Sequence, residues 1–149
     1  MIQIQLAEEI AAQDLPALAS LSYLEQAALA TLLHSGGAQG TDLTIVITTD
    51  AQLQELNRQY LGIDSPTDVL SFPSGEVDPE SEALYLGDIL ISYPRALAQA
   101  GAAGHPVQAE LQLLVVHGAL HLLGFDHAEE VEKARMWKAQ EEILKQLDR

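Results

Sequence analysis

At 149 residues, 48% of them apolar, the chain is the size of one domain with a substantial core, which excludes a disordered segment. Seven basic residues against 22 acidic ones give a net charge of −15, which argues against a protein that holds nucleic acid chiefly by neutralising phosphates. The absence of cysteine removes disulfide and thiolate-metal chemistry, no apolar run nears the ~18 residues that span a bilayer, and no basic-plus-apolar signal segment opens the chain, so a soluble, cytoplasmic protein is expected.

Residues 2–6 (IQIQL) alternate with period two and predict a half-buried strand. Residues 14–34 carry helical periodicity, with Pro16 in the first turn and His34 as a surface residue at the far end. Residues 36–40 (GGAQG) stop that helix, and residues 42–49 predict a second strand. Asp50 is placed to cap a helix over about 51–61. Ser65 to Asp68 is turn chemistry, followed by a short strand from Val69 to Phe72 that Pro73 ends. Residues 74–85 are polar and acidic and predict a loop; Leu86 to Ser92 predicts a further strand. Pro94 opens a helix ending near Gly101, and His105 before Pro106 is extended, with no metal role. The main helix runs from Pro106 to Leu123, burying Val107, Leu111, Leu114, Val115 and Leu122; Glu110 on it is a surface charge or a partner for an arginine. Asp126 followed by Glu129 has the form of a capping box for a last helix over about 127–147, which Met136, Trp137, Ile143 and Leu144 pack on the core. About four strands and five helices predict a single α+β domain with a small mixed sheet, residues 1–149.

Three of the five histidines fall in VVHGALHLLGFDH: His117, His121 and His127. Residues four apart share a helix face, so His117 and His121 lie side by side. A continuing helix would carry His127 roughly 120° off that face, at about 100° per residue. Gly124 removes the difficulty, because glycine adopts the left-handed conformation that ends helices and lets the chain double back. A helical histidine pair alone suits a cap or a satisfied polar pair equally well. With His127 and Gly124 added, the pattern points to three imidazole ligands and an open fourth position, a catalytic-type metal site. The spacing equals that of the long zincin signature, H-E-x-x-H-x-x-G-x-x-H, but Gly118 stands where those proteases carry the glutamate base. The ligands are present and the protease base is not.

HGALHLLGFDH (117–127) resembles the hallmark of the YbeY family of bacterial endoribonucleases and rRNA maturation factors. LNRQYLGIDSPTDVLSFP (56–73), LGDILIS (86–92) and QEEIL (140–144) resemble its further signatures in the same order. The resemblance implies one Zn²⁺ per chain on His117, His121 and His127, in a zincin-like site. It also implies a single-strand-specific, zinc-dependent endoribonuclease, a hydrolase of rRNA maturation (16S 3′ end) and ribosome quality control. RNA, in the context of the ribosome or its small subunit, would be the partner, with no DNA and no membrane. The family usually has an arginine, implicated in activity, where this chain has Leu61. Arg58, three residues earlier, shares that helix face; it is either an ordinary solvated arginine, the commoner case, or a compensating cation with its guanidinium turned toward the histidines, with Arg95 or the ribosome as other sources of the cation. Protons would fall to metal-activated water or to a carboxylate such as Asp68 or Asp126, Asp126 serving mainly as a cap. The other reading is a ribosome-assembly binding factor with weakened or absent catalysis; a metal-dependent hydrolase of different substrates stands behind both. Nickel and copper suit imidazole as well as zinc.

Overall fold

The computed structural model describes residues 1–36, 40–126 and 128–147. Strands β1 (Ile2–Leu6), β2 (Thr41–Thr48), β3 (Val69–Val77) and β4 (Leu84–Ser92) form one sheet in the order β1-β2-β4-β3. β1 and β4 run parallel to β2, and β3 runs antiparallel to β4, so the sheet is mixed, as expected. Among the described residues there are six α-helices: α1 (Glu8–Ala11), α2 (Ser22–His34), α3 (Asp50–Leu61), α4 (Tyr93–Ala103), α5 (Val107–Leu122) and α6 (Glu130–Gln146). No helix among these residues is long and apolar enough to cross a membrane.

Leu43, Ile45 and Ile47 of β2 and Ile89 and Ile91 of β4 are fully buried, the period-two pattern of a sheet face covered by helices. α5 lies on that face against β3 and β4, with α2, α4 and α6 packed around it. It is buried nearly all round, through Leu111, Leu114, Val115, Val116, Gly118, Ala119, Leu120 and Leu122. That is the pattern of a core helix rather than of a surface helix with one apolar stripe. Glu110 is correspondingly buried, and its partner is no arginine: Oε1 meets His105 Nε2 at 2.7 Å.

Several elements differ from the sequence expectation. The helix expected over 14–34 is broken into a short 3-10 turn, Pro16–Leu18, and α2. Ser20 and Ser22 flank the break, hydroxyls 3.3 Å apart, and serine competes for backbone bonds in non-helical conformations. The cap of α3 is Thr49, whose hydroxyl accepts from the Gln52 N–H, because Asp50 is engaged by Arg95. β3 continues through Pro73 to Val77 and pairs with an extended β4, so residues expected in a loop form a hairpin. Pro73 is tolerated because β3 is an edge strand, where a missing N–H breaks no ladder. α4 runs past Gly101 and stops at Gly104.

Candidate metal centre

α5 brings His117 and His121 together one turn apart, ring centroids 4.8 Å apart and planes at 72°. Both line a cleft whose opposite wall is the edge strand β3 with the segment leading into it, including Thr67, Asp68, Leu70 and Ser71; Leu61 closes one end. Two contacts set the wall spacing. The Ser71 hydroxyl donates to the Gly118 carbonyl at 3.0 Å, tying β3 to α5 between the two histidines. Gly118 itself faces the sheet, where an added Cβ would stand 2.7 Å from Ile89 Cγ2. A glutamate at this position would thus point into the packed helix–sheet interface and not into the cleft.

The His117 ring is held from behind by α6. Its Nδ1 lies 3.0 Å from Gln140 Oε1, which can only accept, so the proton sits on Nδ1 and Nε2 is the lone-pair nitrogen. Metal-ligating histidines characteristically use their second nitrogen in this way. Gln140 is buried. Trp137, one turn earlier on α6, packs its ring 5.9 Å from His117 and stays 41% exposed, so it borders the site instead of filling the core as expected. Met136 and Ile143 do fill the core. The spacing of Trp137 and Gln140 puts them on one helix face, and a glutamine in line with Met136 and Ile143 was the available signal for a buried polar role.

α5 ends as expected. The Phe125 N–H bonds the Leu120 carbonyl, the Gly124 N–H bonds His121, and Gly124 has φ of 97°, a Schellman termination that turns the chain back. The third expected ligand, His127, lies outside the described residues. Among the described residues no three metal-binding side chains converge. The donor set that is described, two imidazoles on one helix face with one ring oriented by a buried amide, fits a borderline metal such as zinc.

Three expectations around the site are corrected. The capping box does not form: α6 begins at Glu130, its cap position is Glu129, and no side chain caps it, so Asp126 precedes the helix by a full turn. Asp126 instead shares a surface pocket with Glu132 and Arg135. Arg58 does not turn to the histidines; it bonds Glu55 through Nε (3.2 Å) and a terminal nitrogen (2.5 Å), and holds that carboxyl below its ordinary range. The pairing at i and i+3 is local and satisfies the guanidinium before the cleft is reached. Arg95 is likewise taken, bonding both oxygens of Asp50 at 3.0 Å, which holds the Asp50 carboxyl low. Asp68 stands in the cleft and accepts from Gln99 at 3.3 Å.

The family model described as endoribonuclease YbeY matches residues 7–148. Proteins named endoribonuclease YbeY are similar to this chain: that of Chloroflexus aurantiacus is 44% identical over 149 residues, covering 96% of this chain and 92% of its own length. That of Dehalococcoides mccartyi is 42% identical over 142 residues, covering 87% and 89%. The solution structure of TM1509 from Thermotoga maritima superposes with a TM-score of 0.63 at 26% identity, covering 99% of this chain and 89% of that one. The chain belongs to the endoribonuclease YbeY family.

Proposed function

We propose that this chain is a metal-dependent endoribonuclease, specific for single strands, acting in the cytoplasm on the 3′ end of 16S rRNA and in ribosome quality control. One Zn²⁺ would be held by His117, His121 and His127. Family membership supports RNA cleavage, and the observation that carries the metal assignment is the His117–His121 pair with its Gln140 support. Zinc in a three-histidine site supplies Lewis acidity toward a phosphate oxygen and a water whose pKa falls to about 7.

The protein's own share is positional. His117 and His121 line the cleft, and Gln140 fixes the tautomer of His117. No glutamate base follows His117, since Gly118 is packed on Ile89, so the proton of the attacking water or ribose 2′-hydroxyl falls to metal-activated water or to a carboxylate at the cleft. Asp68 is the carboxylate placed there.

The test is cleavage of an unstructured oligoribonucleotide by zinc-loaded protein, with and without chelator, beside His121→Ala. Cleavage stopped by chelation and by the substitution is expected. Zinc-independent cleavage would overturn the metal assignment, and product ends would report the nucleophile, since only 2′-hydroxyl attack leaves a cyclic phosphate. A second reading, an assembly factor with weakened catalysis, is favoured by one observation: Leu61 lines the cleft while Arg58 and Arg95 are bound to carboxylates. Zinc-loaded protein that binds ribosomal RNA without cutting it would support that reading.

A further inference from the structure

β3 separates two clefts. Ser71 faces α5 and the histidines; its neighbour Phe72 faces the other side of the sheet, across from Asp88. On that side Phe72, Leu56, Tyr60, Leu90 and Asp88 line a second cleft between α3 and the sheet. Tyr60 is 65% exposed, and its ring packs against Phe72 in an edge-to-face arrangement with centroids 5.2 Å apart. The next residue, Leu61, lines the histidine cleft, so the two clefts adjoin at the end of α3.

The chemistry of this second cleft is apolar walls, one exposed aromatic residue and one carboxylate. Asp88 Oδ1 accepts from the Tyr85 hydroxyl, a phenol whose pKa is raised by burial and by Asp88 itself. Among the described residues no hydrogen bond is made to Asp88 Oδ2. A carboxylate repels a phosphate but accepts from an exocyclic amino group, and an open aromatic face suits an unstacked base. Arg58 and Arg95 are both bound to carboxylates, so neither offers a free guanidinium to a polyanion.

We propose that this cleft is a nucleobase subsite: an unpaired base of the RNA stacks on Tyr60 beside Phe72, and Asp88 accepts from the amino group of cytosine, adenine or guanine. The inference rests on the RNA-cleaving reading and names how its substrate is held. It also accounts for single-strand preference, because a paired base cannot leave its stack.

The experiment measures binding of fluorescent ten-residue cytidine and uridine oligoribonucleotides to the full chain under chelation, and cleavage of the same oligonucleotides after zinc loading. Wild type should bind the cytidine oligomer roughly 3- to 10-fold more tightly than the uridine one, as one hydrogen bond allows. Tyr60→Ala should weaken both roughly 5- to 100-fold, and Tyr60→Phe should restore binding. Asp88→Asn should erase or invert the cytidine preference, and it guards against Tyr60→Ala failing for other reasons. Salt dependence should be shallow. If wild type cleaves single strands while Tyr60→Ala and Asp88→Asn bind and cleave as it does, the subsite falls and the nuclease reading stands. If binding follows Tyr60 and Asp88 but nothing is cleaved, the subsite stands and the nuclease reading falls. Absence of both binding and cleavage overturns both.

Discussion

Gly118 is the position where the helix carrying the histidines has no room for a side chain, and Gly118→Ala measures how tightly. The added methyl would stand 2.7 Å from Ile89 Cγ2 and 3.2 Å from Ser71 Oγ. Ile89 is fully buried in β4, and its Cγ2 is fixed to a branched Cβ that cannot swing away. Alanine gains about 1 kcal/mol in helix propensity, while overpacking a close-packed core costs about 1–3 kcal/mol. At 2.7 Å the upper half of that range applies, leaving a net loss of about 1–2 kcal/mol. For a chain of this length that is a fall in Tm of about 2–8 °C by calorimetry. A double-mutant cycle isolates the cause. Ile89→Ala alone leaves a cavity, but in the Gly118→Ala background it also removes the clash, so the two should couple by about 1 kcal/mol or more. Gly118→Glu should be far worse, since it buries an unpaired carboxylate at the same place. Strict additivity in the cycle, or stabilisation by alanine, would refute the packing argument and with it the explanation of why no base follows His117.

Gln140→Leu keeps the packing volume of α6 but removes the acceptor on His117 Nδ1; zinc affinity, read by competition with a chromophoric chelator, should fall about 10- to 100-fold with the circular dichroism unchanged. Unaltered affinity would mean that Gln140 does not orient the ring for metal. Asp50→Asn tests the pH term of the Arg95 pair. The folded pKa of Asp50 is depressed, chiefly by the Arg95 hydrogen bonds, so its contribution is present above the unfolded value of about 3.9 and is lost as pH falls through the folded value. Urea denaturation from pH 6 to pH 2 should show the wild-type stability lead shrinking below about pH 4, where carboxylates protonate, and an unchanged lead across that window would exclude the pair as its source.

What was legible in the sequence is what helix geometry settles locally. His117 and His121 share a face because they are four residues apart, and Gly124 ends the helix because the turn there requires positive φ. What was not legible depends on partners far along the chain. Asp50 is as good a cap by residue type as Thr49, and only Arg95, 45 residues away, decides between them. Pro73 reads as a strand terminator until the sheet order puts β3 at an edge. Trp137 reads as core filler, and nothing local gives Gln140 a role beyond its place in a family signature; their meeting with His117 needs α6 folded back over α5. Arg58 failed as a compensating cation for the opposite reason: a carboxylate three residues away on the same helix, Glu55, was visible in the sequence and won by proximity.

That local competition shapes the electrostatics of the whole molecule. With 22 acidic residues and seven basic ones, a basic group near an acidic neighbour is readily paired, as Arg58, Arg95 and Lys145 are. A cleft that handles a polyanion in such a field has three sources of attraction: a bound metal, surfaces that take the uncharged part of the ligand, and a basic partner that delivers it. The first would sit at the histidine face of α5, where the His117 ring is preoriented. The second matches the exposed apolar residues at the end of α3, Tyr60, Leu61 and Ile63, which cost solubility and add nothing to the core. An apolar Leu61 at the lip of the histidine cleft offers a ligand contact that salt does not screen, where a cation would offer salt-sensitive attraction.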